Sequence, residues 1–169
     1  MTTRFEVRTA APGDLYGAAQ ARVASWRAAF TGLVPQDFLD GMDPAAIASS
    51  WRDSLTAGRS RLYVAAVGEV IVGYAGVGPE RDETAPAGTG ELYALFVHPQ
   101  WWGSGAGRAL TDAAVADLEA AGCTRVWLWV LEPNSRARSF YRRYGFTETP
   151  DRTVSSLGDL PELRCTLEL

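Results

Sequence analysis

Glu91-Leu92-Tyr93-Ala94-Leu95-Phe96-Val97-His98-Pro99 runs directly into Gln100-Trp101-Trp102-Gly103-Ser104-Gly105-Ala106-Gly107-Arg108-Ala109-Leu110. Glu91 to Val97 is apolar apart from its first residue and stops at Pro99, so it reads as a strand. From Ser104 to Ala121 the apolar positions Leu110, Ala114, Leu118 and Ala121 recur on one helical face, and Gly122 ends the pattern. Between strand and helix lie Gly103, Gly105 and Gly107. Glycines let a backbone approach a ligand closely. Their N–H groups, with the helix N-terminus, form an anion site. Arg108 puts a cation in the helix's first turn, against the local dipole, which points to a bound anion. Taken alone, the segment also reads as a tight turn and nothing more. It does not fit the dinucleotide fingerprint, which needs G-x-G-x-x-G in a first βα unit.

Upstream, Phe5 to Thr9 alternates like an opening strand, and Pro12 starts a helical stretch to about Phe30. A short helix covers Gln36 to Leu39. Asp43-Pro44 caps another helix that runs to about Leu55. Arg61–Val67 and Val70–Val77 are strands joined by Gly68-Glu69, a tight hairpin signal. Gly78 to Gly90, with its prolines, glycines and charges, is a loop. Downstream, Arg125–Leu131 is apolar on both faces, as expected of a central buried strand. Asn134 to Tyr144 is a helix stopped by Gly145. Two terminal strands, Phe146–Thr149 and Leu163–Leu167, flank a polar loop. The order is β, helices, β-β-β, α, β, α, β-β, which makes residues 1–169 one mixed α/β domain.

Composition narrows the chemistry. A length of 169 residues suits one domain with a full core. No apolar run approaches the roughly 20 residues that span a bilayer, and Met1 to Ala10 holds no apolar signal segment, so a cytoplasmic location without membrane association is expected. Cys123, Cys165 and His98 make neither a usual structural zinc site nor a disulfide framework, and no metal is expected. A single histidine disfavours Ser-His and Cys-His catalysis. All 16 basic residues are arginine. The absence of lysine excludes a Walker phosphate loop and Schiff-base chemistry. A net charge of −4 argues against nucleic acid as a partner. Yet Arg136, Arg138, Arg142 and Arg143 crowd together, which suits a small polyanion or a solvated helix face.

Two further groups carry candidate chemistry. In Asn134-Ser135-Arg136-Ala137-Arg138-Ser139-Phe140-Tyr141-Arg142-Arg143-Tyr144-Gly145-Phe146, residues Ala137, Phe140 and Tyr144 make the apolar face. Asn134 and Tyr141 lie two turns apart on nearly one stripe. Each also has a structural reading, Asn134 as an N-cap and Tyr141 as core. Glu91 brings a carboxylate into an apolar strand. There it either meets solvent at the strand end or has its pKa raised by burial, as a general base requires.

Together these blocks and their spacing resemble the GNAT superfamily of acetyl-CoA-dependent N-acetyltransferases. Glu91–Pro99 with Trp102–Leu110 resembles the family's fourth strand and [Q/R]-x-x-G-x-[G/A] loop. Asn134 to Phe146 resembles its N-x-x-A-x-x-F-Y-x-x-x-G-F helix. The clear resemblance covers Leu62 to Phe146. Trp102 departs from the pattern, standing where the loop usually opens with Gln or Arg.

The resemblance implies a mixed, mostly antiparallel sheet of about seven strands with one splayed parallel pair, flanked by four to five helices. It implies acetyl-CoA as acyl donor. The pantetheine arm would lie on the backbone of Leu95, Phe96 and Val97, with a Val97 N–H polarising the thioester. The pyrophosphate would lie on Gly103, Ser104, Gly105, Ala106, Gly107 and Arg108. Asn134 and Arg138 would add contacts to the donor. Tyr141 would protonate the departing thiolate, and Glu91 would take the acceptor's proton, directly or through water. Trp26, Phe30 and Tyr93 could face an ammonium ion, though most of these aromatics also suit a core. The acceptor implied is a small-molecule amine, with a protein amine as the alternative and a non-catalytic acyl-CoA-binding module as the competing class. A homodimer is compatible with this reading.

Overall fold

The structure, a computed structural model, describes residues 5–58, 60–155 and 159–169. Strands β1 (Glu6–Thr9), β2 (Arg61–Val67), β3 (Val70–Pro79), β4 (Thr89–Val97), β5 (Arg125–Leu131), β6 (Thr147–Val154) and β7 (Pro161–Glu168) form one sheet in the order β1-β2-β3-β4-β5-β7-β6. Every neighbouring pair is antiparallel except β4 with β5. Helices α1 (Leu15–Phe30), α2 (Gln36–Asp40) and α3 (Pro44–Thr56) belong to one face, and α4 (Ala106–Ala120) and α5 (Ser135–Tyr144) to the other. Among the described residues no helix is long and apolar enough to cross a membrane.

The two faces have separate cores. Leu92, Leu110, Leu118, Val126, Leu128 and Tyr141 pack between the sheet and α4–α5. Leu15, Ala18, Leu62, Val64 and Tyr74 pack beneath α1 and α3. A third cluster of Trp26, Phe30, Leu39 and Leu131 joins α1 and α2 to the far end of β5.

The parallel pair decides where the site lies. β4 and β5 are in register only at Thr89↔Arg125, Gly90↔Val126 and Glu91↔Trp127, and then part. β4 stays paired with β3, and β5 with β7, so the two halves of the sheet diverge as a V. A register shift in β4 marks the point. Gly76 faces Ala94 while Val77 faces Leu92, so Tyr93 is the extra residue of a bulge. A bulge bends its strand and increases local twist, which turns the end of β4 away from β5.

Several boundaries differ from the sequence reading. α4 begins at Ala106 rather than Ser104, because Gly105 takes a left-handed conformation (φ +98°) that no helix continues through. β3 and β4 extend into the expected loop, to Pro79 and from Thr89. β6 and β7 are longer than expected, pairing as far as Val154↔Pro161 across a register irregularity between Glu148 and Arg152. That polar stretch is held by cross-strand pairing, which local composition does not report.

Candidate active site

A cavity of about 320 Å³ fills the V. Its floor is the end of β4, Leu95 to Val97. The loop Trp101–Gly107 makes one wall, Asn134 to Tyr141 of α5 the other, and Ser25, Ala29 and Phe30 of α1 close one side. The antiparallel alternation supplies the chemistry of the floor. His98 N–H donates to Val72 O at 2.8 Å, towards β3, so the backbone groups of Leu95 and Val97 point the other way, into the V. Trp102 corroborates this, since its indole N–H donates to Val97 O at 2.8 Å from the cleft side.

The loop wall is a glycine cradle. Gly103 (φ +78°) and Gly105 (φ +98°) occupy the left-handed region, and a Cβ built on either meets nothing within 4 Å. The left-handed backbone, and not tight packing, accounts for glycine at both positions, and it leaves the backbone bare where it faces the cavity. Gly107 and Arg108 also line the cavity, while Ser104 and Ala106 do not. Ser104 instead bonds Trp101 O at 2.5 Å, and Ala106 is fully buried. The N-termini of both α4 and α5 border the cavity. Asn134 caps α5, its side chain accepting from Ala137 N–H at 3.1 Å.

Tyr141 reaches the cavity from the apolar face of α5. Its ring packs edge-on against Phe140 and Phe146 at 5.4 and 5.6 Å. Its hydroxyl bonds no group among the described residues and is not among the sealed polar atoms, so it opens on the cavity. Burial, and less strongly the neighbouring Cys165, push its pKa far above that of an ordinary tyrosine. It keeps its proton throughout the neutral range.

Glu91 lies at the vertex, behind the cavity rather than on its wall. Both carboxylate oxygens are taken by Arg81, whose Nη2 and Nε donate at 2.6 and 2.9 Å. The Glu91 side chain is 3% exposed and that of Arg81 67%, so the arginine covers a buried carboxylate from the solvent side. Around them is an acidic region. Glu80 and Glu162 have carboxyl pKa values raised by burial, and Glu80 Oε2 is sealed without a partner. Arg164 spans this region, stacked over Trp127 and Trp129 at 3.8 and 4.6 Å and paired with Asp82 at 2.9 Å and Asp151 at 3.3 Å.

Leu95, Phe96, Val97, Gly103, Gly105, Gly107, Arg108, Asn134, Tyr141 and Phe30 therefore converge on one cavity. Arg138 does not join them. It holds Glu148 in a two-pronged pair at 2.8 and 3.0 Å and donates to Glu132 O at 2.9 Å, on the far side of α5. Trp26 is core, within 4.7–6.0 Å of the rings of Phe30, Phe38 and Phe96. Tyr93 donates its hydroxyl to Pro79 O and lies under Arg81, bracing the bulge. The sequence reading missed Ser25, Ala29 and Trp101 as lining residues, and of its arginine cluster Arg136 and Arg143 line the cavity while Arg138 and Arg142 do not. Ser25 and Ala29 continue the α1 stripe of Trp26 and Phe30 at helical spacing, which was the available signal.

Comparison with known proteins agrees with this geometry. Residues 23–146 match the family model described as Acetyltransferase (GNAT) family. The N-acetyltransferase YuaI of Bacillus subtilis, itself uncharacterised, is 28% identical over 94% of this chain and 87% of its own length. A mycothiol acetyltransferase of Beutenbergia cavernae is 52% identical over 61 residues, 36% of this chain and only 20% of that longer protein. Among solved structures, the PaiA N-acetyltransferase of Thermoplasma acidophilum in complex with coenzyme A superposes with a TM-score of 0.78 at 18% identity, covering 98% of this chain and 99% of that one.

Proposed function

The chain belongs to the GNAT acetyltransferase family, and from that premise we propose that it transfers an acetyl group from acetyl-CoA to the amine of a small molecule. The observation that carries the proposal is the cavity between β4 and β5. One cavity unites an unpaired strand edge at Leu95 and Val97, a glycine cradle and a protonated Tyr141. The lining suits the donor chemically. The strand edge offers the hydrogen bonds an amide-bearing arm needs. The cradle and two helix N-termini offer N–H groups to phosphates.

The reaction is direct acyl transfer. The neutral amine nitrogen attacks the thioester carbonyl carbon, and the carbonyl oxygen takes the negative charge of a tetrahedral intermediate. The Val97 N–H, aimed into the V, steadies that charge. When the C–S bond breaks, Tyr141 donates its proton to the sulfur. The acceptor's proton passes to Glu91, directly once Arg81 has moved off it or otherwise through water. The acidic surroundings of Glu80, Glu91 and Glu162 favour a cationic acceptor, and the apolar face of Phe30 and Phe96 suits its carbon frame.

Acetyl-CoA at a hundredfold excess over its Kd is expected to add about 2.7 kcal/mol to stability. That raises Tm by roughly 5–10 °C for a chain of this size. Turnover is then measured as thioester loss across a panel of primary amines. A folded protein whose melting is indifferent to millimolar acetyl-CoA defeats the reading. Donor binding without acetylation of any amine favours the non-catalytic acyl-CoA module.

A further inference from the structure

Trp102 and Arg136 stand on opposite walls of the cavity, the first on the loop after β4 and the second on α5. They touch. The Arg136 guanidinium lies 4.3 Å from the centroid of the Trp102 ring. The indole is itself fixed, since its N–H is bonded to Val97 O at 2.8 Å. A cation–π contact on an anchored ring therefore crosses the mouth of the V and holds its two walls together.

The charges around this contact are unbalanced. Arg108, Arg136 and Arg143 all line the cavity. Among the described residues Arg136 and Arg143 have no ion pair, and Arg108 has only Asp112 at 3.9 Å. Arg136 is the second residue of α5 and Arg108 the third of α4, so each sits in the first turn of a helix whose N-terminus is already positive. Both placements oppose folding slightly, in a protein whose net charge is −4. Arrangements unfavourable to the free protein gather where a ligand of opposite charge relieves them. Arginine is also the cation that can lie flat on a ring while its planar fork still offers N–H donors at the edge.

We propose that Arg136, docked on Trp102 across the cleft, is a phosphate-reading side chain of the donor site. The pair closes behind the pantetheine arm and selects donors that carry the phosphorylated nucleotide over shorter acyl thioesters. Trp102, where similar loops carry Gln or Arg, thus serves as the platform for a cation delivered from the opposite wall. The proposal rests on the reading of acetyl-CoA as donor.

The test is calorimetric binding of coenzyme A and of pantetheine, which lacks the phosphates and the nucleotide, to the wild type and to Arg136→Gln, Trp102→Phe and Trp102→Ala. Arg136→Gln is expected to weaken coenzyme A by about tenfold, pantetheine by less than about twofold, and to change the unliganded Tm by only about 2 °C, because the lost ring contact and the relieved helix dipole offset each other. Trp102→Phe keeps a ring under Arg136 and retains most of the affinity. Trp102→Ala behaves like Arg136→Gln, and the double variant is no weaker than the weaker single one, because the two side chains act as a unit. Equal losses for both ligands in Arg136→Gln, no loss for either, or additive losses in the double variant would each overturn the proposal. A wild-type protein that binds neither ligand refutes the donor reading itself, and this proposal with it.

Discussion

Replacing Tyr141 with Phe removes one oxygen from the wall of the cavity and leaves the ring. The ring contacts with Phe140 and Phe146 at 5.4 and 5.6 Å do not involve the hydroxyl. That hydroxyl has no hydrogen-bond partner among the described residues, so its loss orphans no protein group. Deleting a hydroxyl that opens on the cavity and bonds no protein group is near neutral, so stability should change by less than about 1 kcal/mol. At this chain length that is a Tm shift within roughly 4 °C.

The effect on turnover is expected to be large. A positioned general acid contributes roughly 10²–10⁴-fold, about 3–5.5 kcal/mol of barrier. The pH dependence follows from the direction of the Tyr141 shift. Burial raises its pKa, so the protonated form that donates persists through the ordinary tyrosine value, and wild-type activity shows no loss ascribable to this group below about pH 10. The assay is single-turnover acetyl transfer, which isolates chemistry from product release, alongside thermal melting. A fall of less than tenfold with an intact fold refutes the assignment of Tyr141 as the acid. A parallel fall in rate and stability shows that the hydroxyl holds structure instead.

Other perturbations follow from the same geometry. In Gly73→Ala the new Cβ lies 2.8 Å from Phe96 O, 3.1 Å from Val97 Cγ2 and 3.2 Å from Leu110 Cδ1, so β4 must move away from β3. Overpacking of this kind costs about 2 kcal/mol, or roughly 4–8 °C in Tm, and donor affinity should fall as well because the displaced edge is the cavity floor; an unchanged melt contradicts the close approach. Gly105→Val meets nothing in the free protein but forces a branched side chain to φ +98°, so it should cost about 1–2 kcal/mol and abolish the acetyl-CoA-induced Tm shift; a retained shift would show that the cradle is not the phosphate site. Burial lifts the Cys165 thiol to about 11 and the Tyr74 hydroxyl to about 12. Both folded values exceed the unfolded ones, so their contribution is full below about pH 9 and is lost as pH rises through the folded values. The denaturant midpoint should therefore decline from about pH 9 upward, and a thiol reagent at pH 8 should label the half-buried Cys123 while sparing Cys165 until denaturant is added.

The parts of the molecule legible in the sequence are those specified by neighbours along the chain. Gly68-Glu69 announces its hairpin, Asp43-Pro44 its helix start, and Gly103 to Gly107 the strand-to-helix turn, because each depends on local dihedral preference. The parts that were not legible depend on partners far away. Arg138 and Arg136 are two residues apart on α5 with the same chemistry. One is bound to Glu148 on β6, and the other lies on Trp102 across the cleft. Nothing in residues 134–146 ranks them. Glu91 could be read as exposed or buried. The sequence could not supply Arg81, ten residues earlier, which makes burial tolerable by pairing with it. Trp26 was ambiguous for the same reason, since α2 and β4 decide that it is core.

The V itself has a physical logic that ties these residues together. A parallel pair released after three register positions leaves N–H and C=O groups of two strands without partners in the middle of a sheet. Such edges are costly to leave unmet and invite another strand. Here each side of the opening is braced independently. Tyr93 bulges out of β4 and is anchored to Pro79, and Arg164 lies against Trp127 and Trp129 on the β5–β7 side. With both walls fixed, the strands cannot close on one another. The unmet backbone of Leu95 and Val97 must then bond to water or to an extended ligand that lies in the cleft as a strand would. Trp102 already satisfies one of these groups, Val97 O, which leaves the Val97 N–H and the Leu95 groups for the donor. The side chain that departs from the family pattern thus also determines how many hydrogen bonds the floor can offer.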